Sequence, residues 1–281
     1  MSSQADNAFV TQFTKEWVTR YQLKETKLLG TVRKYTGVGS TFSIPRVNAV
    51  AAVRNKPRHA DVAPANVETD RIAFQMSTIH AGDFIDNLDQ LRTNAEYRGA
   101  MTDVLVAGVN REIDRIITEA LNTTTTTEIA GTAYTASTII TAGKLLSNAV
   151  VPQDENRFAI ISPGAWEDAI SDNKIGSRDY INRDDFQSGM LRGALGFNHV
   201  MFQGLPDNSP TWTGGAAPAI GAGRRRCFFY HKESVAVGIG QEPKITFDYI
   251  PEKFAWFIGV EAMVGAVLLQ PSAVFRVQID D

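Results

Sequence analysis

The sequence predicts an α+β protein in which one long helix supports β-rich regions and an α/β unit interrupts them. Three observations carry this reading. From about residue 92 to 121 there is no proline, and Tyr97, Met101, Leu105, Val109, Ile113, Ile116 and Ala120 recur at helical spacing. Short β-type alternations occupy residues 30–80 and again 245–279. Between them, residues 131–250 read as strand, helix, strand, loop and strand.

Taken in order, residues 1–29 form an arm. Phe9, Phe13 and Trp17 repeat every four residues, with Val10 and Tyr21 near the same stripe, which predicts an amphipathic helix. Such a helix can cover its own domain or dock on a neighbour. Residues 30–80 then carry β-type runs, TFSIP and IAFQMST, in which Ile72, Phe74 and Met76 alternate with Ala73 and Gln75. The intervening VRNKPRHADVAPAN is polar, basic and interrupted by Pro57 and Pro64, too poor in apolar residues to form a core. Two strands with a long polar tip describe a hairpin leaving the body of the protein. The long helix over about 92–121 follows, a rod of roughly 45 Å. Charged residues, Asp103, Arg111, Glu112, Asp114, Arg115 and Glu119, fill much of the remainder, and Gly108 is read as a close crossing or a bend.

Five threonines, residues 123–127, end that helix because β-branched hydroxyl residues disfavour it. A helix is expected over 137–149 and a buried strand over 157–161. Ser162 followed by Pro163 is an N-cap with proline at the first helical position, so a helix should run through Trp166 and Ile170. A second short helix is expected near 184–193, a strand at GFNHVMFQG, and a long loop over 205–223. The C-terminal strands, with Ile245, Phe247 and Tyr249, the run 254–269, and Phe275, Val277 and Ile279, are expected to form a sheet on which the long helix packs.

Composition excludes several function classes. The formal charge is −3, whereas proteins that grip nucleic acid are generally basic. The start of the chain lacks a basic n-region and an apolar h-region, and no run of about 18 apolar residues predicts a transmembrane helix. A single cysteine, Cys227, allows no internal disulfide and reads as a small core residue. The small-residue run Thr36 to Thr41 lacks the lysine of a phosphate loop, and reads as a turn. Histidines 59, 80, 199 and 231 fall in no ligand pattern, and neither a Cys-x-x-Cys nor a Gly-x-Ser-x-Gly motif occurs. The Arg224–Arg226 triplet is read as an interface or a solvated edge. No catalytic, cofactor-binding or metal residues are assigned, and an enzyme is not expected.

The order of these parts resembles the major capsid proteins of tailed bacteriophages, the Hong Kong 97 phage capsid fold that encapsulins and herpesvirus capsid floors share. IHAGDFIDNLDQLRTNAEYRGAMTDVLVAGVNREIDRIITEAL is similar to that family's approach to its spine helix. RFAIISPGAWEDAI is similar to the strand, proline and helix that open its axial domain, and FFYHKESVAVGIG with LLQPSAVFRV to its last passage. The resemblance spans nearly the whole chain. It implies an N-terminal arm at 1–29, an extended loop at 30–80, a peripheral domain of 81–130 with 251–281, and an axial domain of 131–250. It implies a major capsid protein that self-assembles through pentamers and hexamers into an icosahedral head around double-stranded DNA, inside the host bacterial cytoplasm. A separate scaffolding protein, since the chain has no room for a long scaffolding segment, and a portal protein are the implied partners; no membrane and no cofactor are implied. Some relatives cross-link lysine to asparagine; no such bond is assigned. An encapsulin-type compartment and a soluble α/β enzyme are the alternatives.

Head-to-tail contacts that close into rings need surfaces that reach a neighbour. The residues expected to supply them are Phe9, Phe13 and Trp17 in the arm and Arg46, Arg54, Lys56, Arg58 and His59 in the loop. A charged, proline-bearing segment cannot offset its own ordering entropy, so a partner surface must order the loop.

Overall fold

The computed structural model describes residues 22–37, 39–50, 52, 54, 58–59, 61, 64–86, 97–129, 131, 133–172, 175, 193–207, 220–221 and 223–281. The expected arm stripe Phe9, Phe13 and Trp17, together with Lys56, the helix expected over 184–192 and most of the loop 205–223, lies outside them. The described residues divide into two compact units. One holds residues 22–26, 79–112 and 241–262; the other holds 27–78, 113–240 and 263–281.

Four strands precede the long helix: β1 (Arg33–Thr36), β2 (Thr41–Val47), β3 (Thr69–Gln75) and β4 (Ser77–Asp86). The helix, α1, is continuous over Tyr97–Asn122. Gly108 does not mark a close crossing there, because a Cβ at this position would meet nothing nearer than the tip of Arg111 at 3.8 Å. Beyond it come α2 (Ala136–Asn148), β5 (Arg157–Ile161), α3 (Pro163–Ser171), β6 (Gly193–Ala194), β7 (Phe197–Met201) and β8 (Arg224–His231). The chain ends in β9 (Val235–Ile250), β10 (Ala255–Leu268) and β11 (Val274–Asp280). The N-cap forms as the sequence requires: Ser162 Oγ accepts the Ala165 N–H at 3.1 Å, with Pro163 in the first turn.

The C-terminal strands do not make one sheet. β10 lies in a four-stranded sheet ordered β1-β9-β10-β4, whereas β11 joins a five-stranded sheet ordered β11-β8-β5-β7-β6. The reason is visible in β8, whose Cys227, Phe228, Phe229 and Tyr230 are all buried. A strand with such a run needs neighbours on both edges, and β5 alone covers one. β11 supplies the other, in an antiparallel register from Val274 opposite Tyr230 to Asp280 opposite Arg224.

In the first unit, Ala107 and Val109 of α1 are buried along with Ile79 and Ile85 of β4 and Ile258 and Val260 of β10. The Arg98 guanidinium stacks over Trp256, 4.6 Å from the ring centroid. In the second unit the buried face of α1 carries Ile113, Ile117 and Leu121, and with them Asp114, which is 0% exposed. The sequence reading gave Asp114 no role; the fold gives it one. Its carboxylate accepts the backbone N–H groups of Lys27 at 3.0 Å and Leu28 at 3.1 Å. Burial pushes its pKa up, and those two N–H bonds and the Lys27 charge oppose the shift. The Lys27 ammonium also donates to the Met201 carbonyl at 3.3 Å, and Thr31 bonds the Tyr230 hydroxyl. The segment following the arm is thus pinned to α1 and β8.

Replacing Asp114 by alanine strips both N–H groups of their acceptor, at a cost of about 1–3 kcal/mol for each group left unpaired. A lower melting temperature and faster tryptic cleavage after Lys27 are expected, with the conservative Asp114→Asn intermediate. Cleavage at the wild-type rate in Asp114→Ala would show that the clamp holds nothing.

Candidate assembly surfaces

The hairpin β2–β3 forms a two-stranded sheet of its own. Its register runs from Thr41 opposite Gln75 to Val47 opposite Thr69, and the Asn48 N–H donates to Glu68 O at 3.0 Å. The stem is packed against its own chain. Ile44 and Phe74 are buried with Ala236 and Leu269, and Tyr35, Phe42, Ile72 and Val267 pack against them. The Phe42 and Phe74 rings lie 5.6 Å apart. Two glycines permit this seat: a Cβ on Gly238 would come within 2.9 Å of the Phe74 ring, and one on Gly265 within 2.7 Å of Gln75 O. The alternation of Ile72 and Phe74 with Ala73 and Gln75 was therefore a signal for core packing.

Of the loop cations, Arg46 is engaged within its own chain. It pairs with Asp70, directly opposite in the register, at 2.7 Å and donates to Leu269 O at 3.0 Å. Arg54, Arg58 and His59 are exposed, and His59 adopts a left-handed backbone with φ of 68°. Val47, Val50 and Val67 near them are exposed as well. Structure thus separates a seated stem from a basic, valine-bearing tip.

The Arg224–Arg226 triplet is not a free basic edge. Arg224 pairs with Asp280 at 2.7 Å, Arg225 with Asp281 at 2.7 Å, and Arg226 with Glu128 at 3.0 Å. Arg226 is fully buried, and donates also to Asn122 Oδ1 at 2.8 Å. Asp281 in turn accepts the Gly164 N–H at 2.8 Å in the first turn of α3, where a side-chain Cβ would strike Asp281 Cα at 2.7 Å. The acidic partners of this ladder stand far from the triplet in sequence, which hid the pairing.

Cys227 and His231 are both buried. Burial pushes the Cys227 thiol up to about 12, far from the thiolate a nucleophile requires. His231 bonds Asp154 at 3.0 Å and caps the 3-10 turn Lys232–Ser234. An open hollow of about 390 Å³ between Gln153–Glu155 and the turn Gly193–Asn198 includes the Asp154 carboxylate, whose pKa hydrogen bonding from Asn156 lowers. Among the described residues, no group of three or more His, Cys, Asp and Glu side chains could hold a metal, and no helix is long and apolar enough to cross a membrane.

His199 is the buried group with the clearest consequence for pH. Its Nδ1 faces the Phe197 carbonyl at 3.1 Å, its Nε2 is buried without a partner, and its ring meets Tyr134 edge-on. Desolvation lowers its pKa to about 4, against 6.5 when exposed. The folded protein therefore holds His199 neutral while the unfolded chain takes up a proton below about pH 6.5. Stability present above that pH is lost as pH falls toward 4, by on the order of 3 kcal/mol in full. Melting followed from pH 7 to 4 should drop less steeply in His199→Leu than in the wild type; parallel curves would remove His199 from the account.

Comparisons with known proteins agree with this arrangement. A family model for phage capsid proteins matches residues 5–281. No curated protein matches the chain in sequence. Among solved structures, the capsid of cyanophage P-SCSP1u is similar with a TM-score of 0.79 at 14% identity, over 99% of this chain and 95% of that one. The head of Helicobacter pylori bacteriophage KHP40 also gives 0.79, at 11% identity over 100% and 98% of the two chains. The cyanophage Pam1 capsid gives 0.72 at 13% identity, over 100% and 98%. At these identities the likeness speaks for the fold, and the full-length family match for kinship. The chain belongs to the phage capsid protein family, as a major capsid protein of the phage head.

Proposed function

We propose that copies of this chain close head-to-tail into rings of five and of six, and that these rings tile an icosahedral shell around double-stranded DNA. The observation that carries the proposal is the β2–β3 hairpin. Its stem is seated on its own chain, while Val47 at the end of the stem and Arg54, Arg58, His59, Val50 and Val67 beyond it stand exposed. A tip of this kind is ordered by a neighbour, and acidic surface on that neighbour is its complement. Each exposed ion pair is worth about 0–1 kcal/mol, so the shell holds through many repeated contacts on each subunit.

On this reading residues 1–29 are the arm, 30–80 the extended loop, 81–130 with 251–281 the peripheral domain and 131–250 the axial domain. Phe9, Phe13, Trp17 and Lys56 join the exposed loop residues as contacts to other subunits, and Arg46 braces the loop from within. The role is structural rather than catalytic, and the place of action is the virion. Assembly in the host bacterial cytoplasm on a separate scaffolding protein, around a portal, follows from the same reading. The net charge of −3 suits a wall that encloses DNA without gripping it. An encapsulin-type compartment, the nearest alternative on fold alone, is disfavoured by the match to phage capsid proteins along the chain.

Exchanging residues 48–66 for a short Gly-Ser turn should leave a folded subunit whose melting is almost unchanged, while particle yield collapses. Normal shells from the shortened chain, or failure to fold, would sink the clasp. Trp17→Ala should reduce particle yield more than it lowers subunit melting; equal losses would make the arm part of its own core.

A further inference from the structure

Among the described residues, the outer edge of β9 is unpaired over most of its length. β10 lines one edge of β9, and β1 covers the other only from Ala236 to Ile239. Past that point no described residue pairs with it. The direction of its backbone groups follows from the end of that pairing. Gly37 N–H donates to Ile239 O across the β1 edge, so along this unbroken strand residues 241, 243, 245, 247 and 249 aim their backbone groups outward. Pro243, which lacks an N–H, falls on an outward position, where a proline is tolerated. Ile245, Phe247 and Tyr249 are 41%, 50% and 40% exposed. A long apolar open edge is a site that proteins either blunt or fill with another strand.

This edge is complementary to itself. Turned antiparallel about Thr246, Lys244 falls opposite Asp248, and Ile245 opposite Phe247, in both directions. Lys244 and Asp248 are exposed, and neither is ion-paired to a described residue. We infer that residues 243–249 of β9 pair antiparallel with the same residues of a second copy of this chain, across a two-fold axis centred on Thr246. The inference rests on the shell reading and gives it a specific subunit contact.

In this register Ile245 and the partner's Phe247 exchange both backbone hydrogen bonds, and the two Thr246 residues face each other with Cβ atoms about 4.5–5.5 Å apart. Lys244 and the partner's Asp248 occupy a pair whose side chains approach closely. The contact is isologous, so every substitution acts twice. The edge also carries its own selectivity, because a one-residue slip sets Lys244 opposite Phe247 and moves every apolar side chain off its partner.

Two experiments on the full-length chain test this. In the first, Thr246→Cys is oxidised in assembled particles and run on a non-reducing gel; buried Cys227 does not compete. Disulfide-linked dimers are expected, and none from Glu242→Cys, whose two copies stand roughly 26 Å apart in this register at about 3.3 Å per residue. Monomers from Thr246→Cys, or equal dimer from both variants, would overturn the pairing. In the second, Lys244→Asp and Asp248→Lys each place like charges opposite one another twice, and particle yield should fall about tenfold in each. The double variant restores opposite charges and should return to within about twofold of the wild type. A double variant no better than either single one also overturns the pairing. Should a charge variant misfold by circular dichroism, the cysteine experiment decides alone. Wild-type particles without a Thr246→Cys dimer would refute the pairing and leave the shell reading intact. Dimers from a chain that never forms particles would do the reverse.

Discussion

The antiparallel pairing of β8 with β11 is the interaction on which the second unit depends. β8 holds Cys227, Phe228, Phe229 and Tyr230 in the core, and it can do so only because β11 closes the edge that β5 leaves open. The same strand collects contacts from elsewhere in that unit. Thr124 and Thr126 donate to Val274 O, and Ile129 N–H to Arg276 O. Asp281 caps the first turn of α3, and Asp280, Asp281 and Glu128 neutralise the three successive arginines of β8. Buried Arg226 makes the last of these pairs the costly one to break, since removing Glu128 would leave a guanidinium uncompensated in the core. The ends of this sheet are therefore tied by charge and its middle by apolar area.

That division of labour explains why a protein of modest charge can be a building block. Ion pairs spent inside the subunit, as in the Arg224–Arg226 ladder and the Arg46–Asp70 pair, fix its own geometry. Charges left over at the hairpin tip and on the outer edge of β9 are free for neighbours. Each such contact is weak, and weak contacts suit a shell, since a subunit placed wrongly can leave before it is locked by several at once. The β9 edge differs from the hairpin tip in that β10 already holds its backbone, so pairing there costs little additional ordering.

Much of the fold was legible because it is local. The proline-free stripe from Tyr97 onward, the Ser162-Pro163 cap, and the alternation through Ile72 and Phe74 each depend on residues within a few positions, and each formed the expected element. The same reasoning gave Asp114 no partner and read Arg226 as part of an interface or a solvated edge. Their partners, Leu28 for the first and Glu128 for the second, lie 86 and 98 residues away along the chain, and no local pattern announces them. The hairpin stem was likewise underestimated, because what buries Phe74 is small residues, Gly238 and Gly265, on distant strands.

By itself, then, the sequence determined the kinds and order of the described elements: hairpin, long helix, the helices and strands that follow it, and closing strands. Backbone propensity and side-chain periodicity act over one or two turns, so they are written in neighbouring residues. Tertiary structure alone decided which sheet each closing strand joined, which charges went inside, and which edge of β9 stayed open. Those outcomes depend on backbone hydrogen bonds and desolvation between segments far apart along the chain, and they exist only once the chain has brought those segments together.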